Sequence, residues 1–181
     1  MCSSDLEACN MATIKFRGKD IQTCASLPKV GEKAPNFVLT GTSMGQVSLN
    51  DFPEKKKVLN IFPSIDTEVC ALSVKRFSDT LAKQEDVLVI NISKDLPFAQ
   101  VRFCAAEGIE NVEVFSAFRS DFGQSYGVEM TTGPLAALFC RVVIVLDEQN
   151  TVTHVELANE ITSEVNYDKV LEALGKSSQT T

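Results

Sequence analysis

The run V-L-N-I-F-P-S-I-D-T-E-V-C-A-L-S-V-K-R, from Val58 to Arg76, decides how this chain is read. Val58–Phe62 is apolar except for Asn60, which suits a buried strand. Pro63 cannot donate to a central ladder, and Ser64 and Asp66 favour turns, so the strand ends in a turn over Pro63 to Asp66. Asp66 or Thr67 then caps a helix whose apolar stripe is expected at Val69, Leu72, Phe77 and Leu81. With Thr67 as the cap, Cys70 is the third helical residue. Its thiol faces unpaired N–H groups and the positive end of the helix dipole, and both favour thiolate over thiol. A strand, a turn and a helix with cysteine in its first turn make a site for thiol chemistry.

Working outward, Val87–Ser93 reads as a second buried strand, which completes a βαβ unit with parallel pairing and a right-handed crossover. The next stretch, D-L-P-F-A-Q-V-R-F-C-A-A-E-G, reads as a helix capped by Ser93 or Asp95. Pro97 lies in its first turn, Cys104 in its later part, and Gly108 ends it. Val112–Phe115 is a third short strand. Phe118 to Pro134 is a long connection with a short helix expected near Ser120–Tyr126. Cys140–Leu146 is the most β-prone run, Thr151–Leu157 returns beside it, and Tyr167–Leu174 is a closing helix stopped by Gly175. Upstream, Thr13–Arg17 and Ile21–Cys24 alternate around Gly18-Lys19-Asp20 as a β-hairpin. Short strands are expected at Phe37–Leu39 and Val47–Leu49. The expectation is a flexible extension over residues 1–12 and one domain over 13–181. Its class is α/β, a mixed central sheet flanked by helices with an N-terminal β-hairpin, which resembles the thioredoxin-like fold.

A chain of 181 residues, 44% hydrophobic and 23% charged, is large enough for one ordinary core. A formal charge of −7 argues against nucleic acid or an anionic membrane as partner. The basic triplet Lys55-Lys56-Lys57 reads as a solvated loop. No apolar stretch approaches the roughly 20 residues of a membrane span. The N-terminus lacks the basic and apolar segments of a secretory signal, so a reducing cytoplasm is expected. The six cysteines are Cys2, Cys9, Cys24, Cys70, Cys104 and Cys140, with no C-x-x-C pair. A zinc site or a dithiol motif is therefore not expected. Cys2 and Cys9 read as incidental surface thiols, and Cys24 and Cys140 as packing residues. Cys140 alternates with Arg141, so its side chain points away from the site.

Four features converge on Cys70. The helix end is the first. Thr67 is the second: its hydroxyl can accept the Cys70 N–H and still donate to sulfur or to a bound oxygen. Pro63 has no N–H and shields the turn. Arg141, beside an apolar run, is costly to bury alone and is expected to face an anion or a polar ligand. A thiolate among such donors suits attack on a peroxide, because fixed donors stabilise the charge growing on the departing oxygen. The product is a sulfenic acid, with which a second thiol condenses to a disulfide. Cys104, on the next helix, is the natural candidate.

These residues carry a resemblance. P-S-I-D-T-E-V-C matches the P-x-x-x-T-x-x-C signature of peroxiredoxins. The longer N-I-F-P-S-I-D-T-E-V-C, with D-L-P-F-A-Q-V-R-F-C downstream, G-P-L before Arg141 and E-I-T near the end, resembles the bacterial thiol peroxidases, the atypical two-cysteine subgroup. The resemblance spans Phe16 to Leu174. It implies Cys70 as the peroxidatic cysteine, Pro63, Thr67 and Arg141 completing its pocket, and Cys104 as the resolving cysteine of the same chain. It also implies hydroperoxide substrates, thioredoxin as reductant, a homodimer, and no metal or organic cofactor. Glu68, where a small residue or Pro is common, and Cys140 beside Arg141 depart from the pattern. Two other readings stand beside the peroxidase. One is a redox-sensing binding protein switched by the same disulfide. The other is a cysteine hydrolase using Cys70 and His154, for which the chain offers no clear orienting group or oxyanion hole.

Overall fold

In chain order the strands are β1 (Thr13–Phe16), β2 (Lys19–Gln22), β3 (Val38–Gly41), β4 (Gln46–Ser48), β5 (Lys56–Ile61), β6 (Val87–Ser93), β7 (Glu113–Ser116), β8 (Val142–Leu146) and β9 (Val152–Leu157). The helices are α1 (Glu68–Leu81), α2 (Pro97–Glu107), α3 (Phe122–Ser125) and α4 (Tyr167–Ala173). The computed structural model describes residues 11–81, 84–109 and 112–176; Cys2, Cys9 and most of the expected extension fall outside these. No helix among the described residues is long and apolar enough to cross a membrane.

The main sheet has seven strands in the order β4-β3-β7-β6-β5-β8-β9. β5, β6 and β7 run parallel; β8 pairs antiparallel with both β5 and β9. The βαβ unit and the mixed sheet follow the sequence reading. β5, β6 and β8 read as continuous apolar runs because both of their faces are covered. One face, with Val58, Val89, Val143 and Val145, packs on Phe77 and Leu81 of α1, on Val170 of α4 and on Leu174 just after it. The opposite face, with Leu59, Ile61, Ile90, Ile92 and Ile144, packs on Phe122 of α3, Tyr126 and the hairpin residues Ile14 and Ile21. Each such side chain contributes about 1.5–3 kcal/mol by leaving water.

Four local readings need correction. The buried stripe of α1 is Cys70, Ser73, Val74, Phe77 and Leu81, while Leu72 is exposed. The stripe is rotated from the one expected because it must centre on the sulfur and on a polar contact below it. Helix α2 is capped by neither Ser93 nor Asp95: Leu96 is its N-cap, with no side-chain bond, and Pro97 supplies the fixed φ of the first turn. The basic triplet is not a solvated loop, since Lys56 and Lys57 lie in β5 and Lys57 is 1% exposed. The Lys57 ammonium reaches the carbonyl of Lys55 at 3.0 Å, and burial pulls its pKa below the ordinary lysine range. Finally, the last run of high β-propensity becomes a strand only from Val142, which leaves Cys140 and Arg141 just before it.

The β1–β2 hairpin docks on the loop after β9. Lys15 N–H donates to the Asn159 carbonyl at 2.7 Å, and Ile161 N–H donates to the Lys15 carbonyl at 2.9 Å. The Glu160 carboxylate accepts the N–H groups of Arg17 and Gly18 at 3.1 and 3.2 Å. After α3 the chain passes so close to Ser26 that a Cβ on Gly127 would stand 2.2 Å from the Ser26 carbonyl oxygen, at a φ of +64°. Only glycine meets both conditions.

Candidate active site

Helix α1 begins at Glu68, so Cys70 is its third residue, as the turn chemistry predicts. The first main-chain bond into the helix runs from Ala71 N–H to the Thr67 carbonyl at 2.9 Å. The N–H groups of Glu68, Val69 and Cys70 precede that bond and lie at the positive end of the helix. Cys70 is fully buried among Phe62, Ile65 and Val74. Pro63 is also buried, at the bend where β5 gives way to the turn.

Arg141 is 4% exposed. Its Nη1 donates to Cys70 Sγ at 3.3 Å. Its Nε and Nη2 both donate to the Ile161 carbonyl at 3.0 Å. The forked guanidinium is thus gripped on one side by a backbone oxygen and aimed on the other at sulfur, a use for which lysine has no equivalent shape. A buried guanidinium needs an opposite charge or several acceptors. Here it has one carbonyl, used twice, and the Cys70 sulfur.

Thr67 does not act as drawn from the sequence. Its hydroxyl donates to the Ser64 carbonyl at 3.2 Å, and Thr67 N–H donates to the same oxygen at 3.2 Å. The side chain therefore tightens the turn and is exposed beside the site, where the sequence reading had it accepting the Cys70 N–H. Glu68 is exposed too, while the sulfur is buried.

Sequence reasoning missed the support beneath Cys70. Ser73 Oγ donates to the Cys70 carbonyl at 2.8 Å and accepts from Asn60 Nδ2 at 3.2 Å. Asn60 Nδ2 also donates to Asn91 Oδ1 at 2.8 Å, and Asn91 Nδ2 donates to the Glu113 carbonyl at 3.2 Å. Asn60, Ser73 and Asn91 are at most 2% exposed. A hydrogen-bonded buried row of this kind fixes the helix over the sheet. The available signal was two asparagines interrupting two apolar strands, since buried amides persist only when bonded.

Cys104 is half-buried on α2, and burial pushes its thiol above the ordinary range. Its neighbour Phe103, rather than Cys104, packs against the cluster around Cys70. Cys104 instead lines a cavity of about 420 Å³ together with Val47, Val101, Val112 and Phe115. Both thiols are free. Cys140 is free, completely buried, and part of the core on the sheet face opposite α1; burial drives its thiol up to about 12. Its alternation with Arg141 holds. His154 on β9 pairs with Glu156 at 3.0 Å, and no hydrogen bond among the described residues joins it to Cys70.

The Redoxin family model matches residues 29–171. A thiol peroxidase of Corynebacterium glutamicum is 49% identical over 164 residues, covering 91% of this chain and 99% of that protein. A thiol peroxidase of Mycobacterium tuberculosis is 50% identical over 165 residues, with coverage of 91% and 99%. Among solved structures, a peroxiredoxin-like protein from Aquifex aeolicus superimposes with a TM-score of 0.86 at 36% identity, over 91% of this chain and 97% of that one. A thiol peroxidase from Chromobacterium violaceum superimposes with a TM-score of 0.83 at 22% identity, over 90% and 95%, and at that identity supports the fold alone.

Proposed function

The chain belongs to the redoxin family, among the thiol peroxidases, and on that premise we propose that it reduces hydrogen peroxide and organic hydroperoxides with Cys70 as nucleophile. The observation that carries this reading is the Arg141 donor 3.3 Å from a sulfur in the first turn of a helix. The sulfur attacks one peroxide oxygen. The O–O bond breaks, its electron pair leaves with the distal oxygen, and that oxygen takes a proton and departs as water or alcohol. Cys70 is left as a sulfenic acid. Arg141 and the helix-end N–H groups stabilise the charge that shifts from sulfur to oxygen. Pro63 keeps water off the turn. The exposed Thr67 hydroxyl exchanges the Ser64 carbonyl for a peroxide oxygen.

The Cys104 thiol then displaces hydroxide from the sulfenic sulfur. A Cys70–Cys104 disulfide forms and water is released. A disulfide requires Cα atoms within roughly 7 Å, so α2 and the start of α1 unwind locally to allow it. Thioredoxin, a dithiol protein, restores both thiols and becomes oxidised itself. The protein works as a homodimer in the reducing cytoplasm, where that reductant is kept supplied.

Peroxide consumption with thioredoxin, its reductase and NADPH tests the reading. Sustained multiple turnovers are expected, and Cys70→Ser should abolish them. Consumption of a single equivalent would overturn the enzyme in favour of a switch read by a binding partner. Cys104→Ser should retain the first, sulfenic-acid-forming turnover and lose the intrachain disulfide. Sedimentation of the reduced protein tests the dimer.

A further inference from the structure

Asp95 stands immediately before the N-cap of α2, yet its carboxylate does not serve that helix. Oδ1 accepts the Ser64 hydroxyl at 2.8 Å, and Oδ2 accepts the Ile65 N–H at 2.7 Å. Both partners belong to the turn that delivers Cys70. The acceptor is itself held firmly. Ser93 Oγ donates to Oδ2 at 2.6 Å and accepts from Gln100 Nε2 at 3.3 Å. Gln100, fully buried, also donates to the Phe115 carbonyl at 2.9 Å. Ser116 Oγ donates to the Asp95 carbonyl. The first turn of the Cys104 helix is thus anchored to the ends of β6 and β7, and one carboxylate reaches from there to the Cys70 turn. Besides the packing of Phe103, two ion pairs among the described residues join α2 to the Cys70 turn and helix: Arg102 to Asp66 at 3.3 Å and Lys75 to Glu107 at 3.8 Å. Both are exposed, and exposed pairs hold little. The bonds to Asp95 are partly buried and charge-assisted, the stronger kind.

We propose that Asp95 is the positioning residue that latches the Cys70 turn, and that its release sets how fast Cys104 captures the oxidised sulfur. The proposal rests on the thiol peroxidase reading above. For the disulfide to form with loss of water, the turn carrying Ser64 and Ile65 must leave its place, and the two bonds to Asp95 must break. While they hold, the sulfenic acid stays buried. A second peroxide can then oxidise it to the sulfinic acid, the peroxide itself being reduced to water or alcohol. The latch therefore divides the oxidised enzyme between recycling and irreversible loss.

Three variants test this. Asp95→Ala removes both acceptors. Asp95→Asn keeps an oxygen for the Ile65 N–H but sets an amide against Ser64. Ser64→Ala removes one donor and leaves the carboxylate. Amide exchange over residues 64–70 is expected to accelerate about 10²-fold in Asp95→Ala, the scale of losing two hydrogen bonds to a charged group, and less in the other two. Exchange in β5 should stay unchanged. Disulfide formation after one equivalent of hydrogen peroxide should accelerate in the same order, and sulfinic acid in excess peroxide should decrease. If Asp95→Ala does not fold, Asp95→Asn and Ser64→Ala decide the matter. Unchanged exchange and unchanged disulfide rate in the folded variants would overturn the latch. So would an equal rise in β5 exchange, which signals general loss of stability. A wild-type chain that consumes no peroxide would overturn the thiol peroxidase reading instead, and exchange over 64–70 would still judge the contact.

Discussion

At Arg141, charge and shape can be separated. Lysine would keep the charge but lose the fork that grips the Ile161 carbonyl while reaching sulfur. Arg141→Lys should lower the rate of peroxide reduction by about 10²-fold, the cost of losing one aimed donor, and stopped-flow oxidation of Cys70 measures it. Cys140 offers a different test. Its thiol is raised in the folded protein from 9.0 to about 12 by burial, so on raising pH the unfolded chain loses that proton first. The stability this thiol contributes is intact below pH 9.0 and is lost as pH rises toward 12. Cys140→Ala should make the decline of unfolding free energy in that window shallower by about 1.4 kcal/mol per pH unit. Urea unfolding at stepped pH reads the difference.

At the level of elements, the strand-turn-helix around Cys70 was legible because each signal there was local: an apolar run, a proline, capping residues. The stripe of α1 was less so. A choice between Val69/Leu72 and Cys70/Ser73/Val74 depends on which face meets the sheet, and the deciding contact is Ser73 to Asn60, a bond between two elements. The cap of α2 failed for a related reason: Asp95 has the right chemistry for a cap but a partner across space claims it. Lys57 was misplaced because charge pattern alone says nothing of a stem covered on both sides of a sheet. Of the candidate site, Cys70, Arg141 and Pro63 sit together around the turn, whereas Cys104 lies outside the cluster around Cys70 and lines a cavity. Elements also set steric limits. Gly127→Ala would put a Cβ against the Ser26 backbone at positive φ, and the backbone cannot yield as a side-chain tip would. A loss of about 3 kcal/mol is expected by chemical denaturation.

Across the whole molecule, the N-terminal hairpin is part of the site although no residue of it touches sulfur. Lys15 pairs through its backbone with Asn159 and Ile161, and the Ile161 carbonyl holds Arg141. The relevant group is the Lys15 main chain, because its ammonium only meets Asp20 at 4.0 Å on the surface. Lys15→Ala should leave peroxide reduction unchanged. Lys15→Pro removes the N–H that the Asn159 carbonyl accepts and should slow it about tenfold by loosening Arg141, the scale of one lost hydrogen bond. Equal rates for the two variants in a peroxide assay would separate the hairpin from the chemistry.

The bonds from the Glu160 carboxylate to the hairpin backbone span 143 and 142 positions of chain. A ribosome makes the hairpin well before its docking partner. Until that late segment emerges, Arg141 has no carbonyl to brace it, and the growing polypeptide carries an unarmed cysteine. Reactivity toward oxidant should thereby be deferred until the loop after β9 has been made.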